Sequence, residues 1–501
     1  MVTLGHLADA HLGHRQYGLR QREDDMVSTT RAALQGLVER DVDAVLLPGD
    51  LFHSRDLRPK VLDDAERALG LVPDEIPVLV SRGNHDENLT PRQVTWLNYL
   101  HRRGKIVLLE ADLASDREAA GFEPHQADQP GDCAGFYDVE APGADGPVRV
   151  FGLQWRGARA DTALERAAAG IREANDEHGE PAYTVLLAHF GIEDEVPTLG
   201  GTITHAELEP VREVVDYLAL GHIHKRYEAA GWVYNPGSLE AHNTQEGQDG
   251  WDHGYYTVDL DSVGGAEDGG PGALAHEVTH HAAKRRPYYR IEFDVTPHES
   301  RSDLEEAFRE HVQEEQPAFE DYCSQPEFLA GGDRRKPILD VRFDGTLQFE
   351  RADLRTDELA GWAEDACDAL HVQVNTSVRT ADIQALIEEL DGDSVFVDGR
   401  LNTDALERRV FETIATESAY GDHAEEVADV LERSHRMAQG GEAIEDITDA
   451  VSGERRELFP GMTADVDIEV PEDPLADGEA GPGAGGEPDG RAPSADGGTP
   501  E

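Results

Sequence analysis

Short runs of apolar residues alternate with helical patterns through the first part of the chain. Five runs have the length and continuity of strands that are buried on both faces, and they are Val2–Leu7, Ala44–Leu47, Val78–Val80, Val185–Ala188 and Tyr217–Leu220. Helical patterns at Glu23–Glu39 and Pro59–Leu69 lie between some of these runs. The alternation predicts an α/β fold with parallel strands, in which the residues that follow the strands gather at one edge of the sheet.

A short motif containing histidine or aspartate lies at or just after the end of each run. In chain order the motifs are Asp9-Ala10-His11, Gly49-Asp50-Leu51-Phe52-His53, Gly83-Asn84-His85-Asp86, Ala188-His189-Phe190 and Gly221-His222-Ile223-His224. Such a set of oxygen and imidazole ligands can hold two cations about 3.5–4 Å apart, which clamp a phosphate and create a hydroxide near neutral pH. We therefore expect one dinuclear metal centre.

The metal ligands can be assigned on chemical grounds. Asp50 is the candidate bridge, because the two oxygens of a carboxylate can face two ions. The other expected ligands are Asp9, His11 and His224 for one ion, and Asn84, His189 and His222 for the second. These ligands are nitrogen and oxygen without thiolate, which favours manganese or iron over a structural zinc.

Two histidines and one aspartate of the motifs are left for catalysis. His53 and His85 are expected to face the substrate, with His85 stabilising the transition state or protonating the leaving oxygen. Asp86 is expected to fix the ring orientation of His85. Taken singly, His11 and His53 could also be half-buried surface histidines, and Asn84 could be a turn residue.

The five motifs resemble those of the calcineurin-like metallophosphoesterase superfamily over roughly residues 1–260. That resemblance implies the superfamily's α/β core, an α+β sandwich. Within the superfamily, Leu7–Gly13, Gly49–His53 and Tyr234–Glu240 resemble the SbcD-like branch of DNA double-strand-break repair nucleases. That resemblance implies two Mn²⁺ per chain, 3′-to-5′ exonuclease activity on duplex ends and endonuclease activity on single strands. It also implies a homodimer that binds an SMC-like coiled-coil ATPase. Family members often have serine or threonine where this chain has Ala10, which is not a ligand position.

Two other functions remain open on the same residues. One is a phosphomonoesterase or cyclic-nucleotide phosphodiesterase on the same metal fold, and the other is a DNA-end tethering scaffold with a restrained nuclease site.

Histidines and aspartates outside the motifs are not expected to bind metal. His205, His242, His253, His280 and His281 are expected at the surface or at sheet edges, and Asp24, Asp25 and Asp43 on a solvated helix face or at a strand entry.

The charge of the chain is unusual for a DNA enzyme. It has 103 acidic and 44 basic residues, a formal net charge of −59, whereas nucleic-acid binders normally carry a basic patch. We interpret this as adaptation to a very salty cytoplasm, because above about 1 M salt the Debye length is only about 3 Å. Arg55 and Arg58 are the candidates for DNA phosphate contacts, and pairing with carboxylates is an equally open alternative.

Composition divides the chain further. We expect a nuclease domain at 1–285, an α+β capping domain that positions DNA at 286–400, a helical ATPase-binding segment at 401–460 and a disordered acidic tail at 461–501. Gly264–Gly272 is a Gly-rich acidic connector in the nuclease domain, and a helix is predicted at Ser302–Val312 in the cap. The helices predicted at Thr403–Thr416 and His423–Met437 could be an extension packed on the cap instead of a binding segment. Helices near Arg58–Leu69 and Pro91–Arg103 are plausible dimer contacts. Three scattered cysteines, and the lack of a signal peptide or apolar span, suggest a cytoplasmic, nucleoid-associated protein.

Overall fold

The computed structural model describes most of the first 380 residues and parts of the rest. The described residues are 2–87, 94–114, 117–126, 131, 133–193, 195, 202–247, 251–263, 273–330, 332–380, 396–397, 400–401, 408, 411–412, 415, 423–439, 448 and 450–453. The chain forms two compact units, Met1–Gln384 and Ala385–Glu501. Each is described separately.

The first unit begins with alternating strands and helices, as the apolar pattern predicts. In chain order these elements are β1 Val2–His6, α1 Arg20–Val38, β2 Ala44–Pro48, α2 Pro59–Leu69, β3 Val78–Ser81, α3 Trp96–Arg102, β4 Val107–Leu108, β5 Phe136–Val139, β6 Val148–Gly152, α4 Ala160–His178, β7 Tyr183–His189, α5 His205–Arg212, β8 Tyr217–Gly221, β9 Tyr227–Ala229, β10 Val233–Asn235, β11 Gly254–Val263 and β12 Ala273–Ala282. All five predicted strands are present. The proline at the start of α2 suits the first helical turn, where its missing N–H would have no intrahelical partner.

Two six-stranded sheets are built from these strands. The first has the order β12-β11-β1-β2-β3-β4 and the second the order β5-β6-β7-β8-β10-β9. Strands β1 to β4 run parallel, and so do β6, β7, β8 and β10, whereas β5, β9, β11 and β12 pair antiparallel. Two facing sheets agree with the sandwich that the resemblance implies. Apolar runs indicate that a strand is buried, but they do not indicate which strand it pairs with.

The two sheets face each other across an apolar layer. Leu4, Leu46 and Leu79 of the first sheet lie in one buried cluster with Val150 and Val185 of the second. On the outer faces, α1, α2 and α3 cover the first sheet, and α4 and α5 cover the second, each through its own apolar cluster. The result is an αββα sandwich, in which the parallel strands of both sheets are buried on both faces, as such strands require.

A smaller α+β layer follows within the same unit. Its elements are β13 Tyr288–Asp294, α6 Arg301–Cys323, β14 Leu329–Ala330, β15 Asp333–Arg334, β16 Ile338–Leu347, α7 Thr356–Cys367 and β17 His371–Thr380. Strands β13, β16 and β17 form a parallel sheet with its own buried core. The predicted helix at Ser302–Val312 is present but longer, because α6 continues through Pro317. The boundaries of the proposed capping domain stay a prediction.

The second unit contains β18 Phe396–Val397, β19 Arg400–Leu401 and α8 Ala424–Gln439. Helix α8 corresponds to the helix predicted at His423–Met437. Most of the helix predicted at Thr403–Thr416, the connector at 264–272 and the whole acidic tail at 461–501 lie outside the described residues. None of the described helices combines the length and apolarity needed to cross a membrane.

Candidate metal centre

Four of the predicted ligands adopt a backbone conformation that non-glycine residues rarely use. The φ angles of Asp9, His11, Asp50 and His222 are 51°, 43°, 52° and 91°. All four residues follow the carboxyl end of a strand, where the chain turns sharply. Strain of this kind costs about 1–3 kcal/mol per residue and clusters at functional sites.

Two glycines allow these turns to approach one another. Gly49 has a φ of 95°, in the left-handed region that favours glycine. A Cβ atom at Gly83 would lie 2.1 Å from Oδ1 of Asp50. The third motif can therefore reach the Asp50 carboxylate only because glycine stands at position 83.

The carboxylate of Asp50 lies at the meeting point of the two sheets. Its Oδ2 is 3.2 Å from Nε2 of His189, the last residue of β7, and 3.6 Å from Nε2 of His11, which follows β1. Its Oδ1 accepts a hydrogen bond of 2.9 Å from the backbone N–H of His85. The side chain is only 2% exposed. Asp50 thus contacts ligand atoms from both halves of the sandwich.

The remaining predicted ligands form two groups around Asp50. On one side, Nε2 of His11 lies 3.2 Å from Nε2 of His224 and 3.9 Å from Oδ1 of Asp9. On the other side, Oδ1 of Asn84 lies 3.0 Å from Nε2 of His189 and 3.1 Å from Nδ1 of His222. The Nε2 atoms of His11 and His224 face one another. Lone pairs that converge in this way fit a divalent cation between them, so the donor set suits a two-ion centre.

Outer contacts orient two of the histidines. Nδ1 of His189 donates to the carbonyl oxygen of Pro48 at 2.8 Å, which leaves Nε2 to face Asp50. Nδ1 of His224 contacts Oε2 of Glu246 at 3.1 Å, which leaves Nε2 to face His11. Such partners fix the ring and the tautomer of metal-binding histidines. Nothing in the sequence singles out Glu246, because one carboxylate among 103 acidic residues carries no signal.

The charges of the centre are strongly coupled. Burial would raise the pKa of Asp50, but nearby His189 and His11 lower it well below its usual range. Burial raises the pKa of Asp9 to about 6. Burial alone would lower the pKa of His189, yet Asp50 and Asp9 outweigh it and raise that pKa to about 9. Without bound cations, the ring of His189 therefore carries a proton at neutral pH.

Comparison with known proteins agrees with this geometry. Residues 2–226 match the family model described as calcineurin-like phosphoesterase. These residues therefore have the fold of a calcineurin-like phosphoesterase. The fold class predicted from the sequence is thereby confirmed.

Several proteins to which the chain is similar are described as DNA double-strand break repair proteins. The chain is 27% identical over 249 residues to the DNA double-strand break repair protein Mre11 of Archaeoglobus fulgidus, across 49% of this chain and 52% of that protein. It is 26% identical over 228 residues to the Mre11 protein of Saccharolobus solfataricus, across 45% and 50% of the two chains. The Mre11 protein of Haloferax volcanii is 34% identical over 115 residues, across 22% of this chain and 25% of that protein. The chain spans about half the length of the first two relatives.

The phosphoesterase domain holds His85 differently from our expectation. Nδ1 of His85 donates to the carbonyl oxygen of His53 at 2.7 Å, so this carbonyl fixes the ring. Asp86 instead accepts hydrogen bonds from the backbone N–H groups of Phe52 and Gly83, at 3.1 and 3.2 Å. The predicted role of Asp86 as the orienting partner of His85 is therefore wrong. Its carboxylate holds the second and third motifs together.

Two histidines that were expected at the surface lie inside the domain. His253 is 3% exposed and contacts the backbone of Ser238 and Glu246. The ring of His242 lies 4.5 Å from that of His11 and 4.3 Å from that of His224. His14, which the sequence did not single out, stacks on His53 at 3.9 Å. Histidines outside a motif carried no pattern that would have placed them here.

Most cations near the centre are already paired. The Arg58 guanidinium donates to Glu23 at 2.6 Å, so the alternative of pairing with a carboxylate holds for this residue. Arg55 is exposed and remains a candidate for a DNA contact.

Asp25, expected on a solvated face, is buried and binds Arg22 at 2.7 Å and Arg286 at 2.6 Å. That expectation was wrong because the Arg286 partner lies 261 residues further along the chain, where no local pattern indicates it.

Proposed function

We propose that this chain is a two-metal phosphodiesterase that cleaves DNA in double-strand-break repair. One observation carries the proposal: six other potential ligands from two sheets surround the buried carboxylate of Asp50. The similarity to proteins named for DNA double-strand break repair supports DNA as the substrate. The nitrogen and oxygen donors support manganese as the metal.

The proposed ligands form two sets, one for each ion, and both sets include Asp50. Asp9, His11, His224 and Asp50 would hold one ion, and Asp50, Asn84, His189 and His222 the other. Two bound ions would offset the charge of the phosphodiester and lower the pKa of a water molecule to near neutral. The chain supplies the position of the reacting groups, because buried ligands on short turns cannot shift without losing their contacts.

His85 is the proposed acid of the reaction. The hydrogen bond from its Nδ1 to the His53 carbonyl leaves Nε2 as the atom that can act on substrate. In its protonated form, Nε2 can stabilise the charge that develops on the phosphate oxygens or donate a proton to the leaving oxygen. His53 borders the same space, since its ring lies 5.2 Å from that of His85.

DNA digestion tests this function directly. A 3′-labelled and a 5′-labelled duplex, incubated in high salt with and without Mn²⁺, report metal dependence and polarity together. We expect manganese-dependent 3′-to-5′ shortening of duplexes and internal cleavage of single strands. Rapid hydrolysis of p-nitrophenyl phosphate without DNA cleavage would identify a phosphatase instead. DNA binding without cleavage would favour a tethering scaffold.

A His85→Ala variant tests the catalytic assignment. We expect cleavage to fall by about 10²- to 10⁴-fold, the contribution typical of a positioned acid, while the manganese content stays at that of the unchanged chain. His205→Ala is the matched control, because His205 is exposed at the start of α5. Retained cleavage in His85→Ala would reject the role of this residue.

We further propose a homodimer. Among the described residues, Val94 and Trp96 are the exposed large apolar side chains, at 55% and 36% exposure. They lie at the start of α3, one of the two helices that the sequence suggested for the dimer contact. Trp96→Glu should yield a monomer in light scattering. A dimer of unchanged stability would place the contact elsewhere.

Helix α8 belongs to the proposed docking site for an SMC-like ATPase. Val427, Val430 and Leu431 form a half-buried stripe on this helix. Such a stripe on a charged helix suits a groove on a partner. Removal of residues 400–460 should release the ATPase in co-purification and spare manganese-dependent cleavage. An ATPase that still co-purifies would refute the assignment.

We also propose that the protein acts on chromosomal DNA in a high-salt cytoplasm, and its formal net charge of −59 supports this proposal.

A further inference from the structure

A second cluster of imidazoles lies beside the dinuclear centre. It consists of His14, His53 and His242, which we call the imidazole triad. One ring nitrogen from each of the three residues lies within 4.8 Å of the other two. The ring of His14 lies 3.9 Å from that of His53 and 4.8 Å from that of His242. No part of the proposed two-metal function uses His14 or His242.

Two backbone features hold the triad in place. The amide of His14 donates to the carbonyl oxygen of His11 at 3.0 Å, which closes a turn and puts His14 next to the first motif. The amide of His242 donates to Oε2 of Glu246 at 2.8 Å. The same carboxylate contacts His224, so the loop that carries His242 is tied to a ligand of the dinuclear centre. The triad is therefore fixed by elements that also fix the metal site.

Two nitrogens of the triad lack partners. Nδ1 of His14 and Nε2 of His242 are both buried and make no hydrogen bond to any described residue. Buried polar atoms in native proteins nearly always have a partner, so two such atoms in one cluster require an explanation. Ring stacking does not satisfy them, since it leaves the in-plane lone pairs unused. A bound cation would satisfy both.

We propose that the imidazole triad binds a third divalent cation of the zinc class. Three neutral imidazoles without a carboxylate or thiolate suit Zn²⁺, whose nitrogen ligands stand about 2.0–2.1 Å away. Mn²⁺ prefers oxygen-rich sites and should not occupy the triad. Zinc is four-coordinate, so three protein ligands leave one position open. Because His53 borders the proposed substrate site, that open position lies at the edge of the site.

Binding requires one local movement. The rings of His14 and His53 are nearly parallel, with an angle of 18° between them. Two parallel rings cannot both aim a nitrogen at one ion. His14 must therefore turn out of the stack, and no hydrogen bond on its Nδ1 opposes that rotation. Cation binding at the triad does not require phosphodiester hydrolysis.

Metal content of the full chain tests the proposal. Protein is dialysed to equilibrium against Zn²⁺ or Mn²⁺ in about 1 M KCl, which screens the acidic surface, and the bound metal is measured by atomic emission. We expect one more equivalent of zinc than of manganese. His14→Phe and His242→Phe should each lose that extra zinc and keep the manganese content of the unchanged chain. His205→Phe, on the exposed start of α5, is the matched control and should keep it.

A cysteine variant completes the test. His242→Cys supplies a thiolate, which is also a zinc ligand, and should regain the zinc that His242→Phe lost. Equal zinc and manganese contents in the unchanged chain would overturn the proposal. So would full zinc content in both phenylalanine variants. Should those variants fail to fold, the cysteine variant decides: the extra zinc supports the triad, and its absence refutes it.

Discussion

At the scale of single residues, His189 makes a contact at each of its two ring nitrogens. His189 donates from Nδ1 to the Pro48 carbonyl at 2.8 Å while its Nε2 faces Asp50 at 3.2 Å. The ring therefore keeps one orientation whether Nε2 carries a proton or faces an ion. Its pKa, raised to about 9 against the effect of burial, means that the ring is protonated at neutral pH when no ion is bound. A metal ligand must be deprotonated, so binding has to release that proton.

This competition gives metal binding a defined pH dependence. As the pH falls from about 9 towards 7, His189 is protonated in a larger fraction of the molecules, and the apparent Mn²⁺ affinity should fall. Below about pH 6, protonation of Asp9 should weaken binding further. Calorimetric Mn²⁺ titrations in two buffers of different protonation enthalpy measure the released protons. We expect about one proton per chain at pH 7 and fewer as the pH approaches 9.

The matched comparison uses the same titration with Asp9→Asn. Loss of this carboxylate removes one charge that raises the pKa of His189, so fewer protons should be released at pH 7. An affinity that does not change between pH 7 and pH 9, with no proton release, would contradict the charge coupling described for the centre.

The sequence predicted the motif residues but not their surroundings. Asp9, Asp50 and His189 follow apolar runs, and such positions gather at the ends of strands. Glu246 and His242 lie on an irregular loop, where no periodicity announces a buried side chain. Their places depend on contacts between residues far apart in the chain, which a single sequence does not encode locally.

At the level of elements, apolar runs predicted strands but not their sheets. Runs such as Ala44–Leu47 and Val185–Ala188 are equally continuous, yet they belong to different layers of the sandwich. Strand pairing follows from the packing of helices on each sheet. The length of α6 was also underestimated, because Pro317 normally marks a helix end and here lies within the helix.

Helix α1 is joined to the segment before β13 by a buried ion network. Asp25 on α1 binds Arg286 through Nε at 2.6 Å and through Nη2 at 2.9 Å, and it also binds Arg22. Asp25→Asn removes the charge with little change in shape. Arg286 then loses its buried ion pair, whereas Arg22 keeps Glu240 at 3.3 Å. We expect the free energy of unfolding to fall by about 3–5 kcal/mol. Denaturant unfolding measures this change.

The adjacent residue offers the control. Asp24 is 66% exposed and contacts Lys60 at 3.1 Å. Because exposed ion pairs contribute little, Asp24→Asn should change the free energy of unfolding by less than about 1 kcal/mol. Equal effects of the two substitutions would show that the buried network does not stabilise this junction.

On the scale of the whole molecule, the excess of acid dominates. The formal net charge is −59, and several of the 44 basic side chains are taken up by carboxylates. Arg22, Arg58 and Lys60 all pair in this way. Repulsion among the remaining carboxylates opposes the compact state at low ionic strength. The sequence predicted this balance directly, since composition does not depend on the fold.

Salt should therefore stabilise the protein. We expect the midpoint of thermal unfolding to rise steadily as KCl increases from about 0.1 M to about 2 M, since the Debye length falls from about 10 Å to below about 3 Å. Differential scanning calorimetry measures the midpoint. A midpoint that is constant or falls across this range would contradict a surface adapted to high salt.

The proposed metal centre requires that two cations share Asp50. A crystal structure of the full chain with Mn²⁺, with data collected at an energy where manganese scatters anomalously, locates the ions without assumptions about the ligands. We expect two anomalous peaks about 3.5–4 Å apart, one beside His11 and His224 and the other beside Asn84 and His189, with Asp50 between them. A single peak, or peaks out of contact with Asp50, would contradict the account.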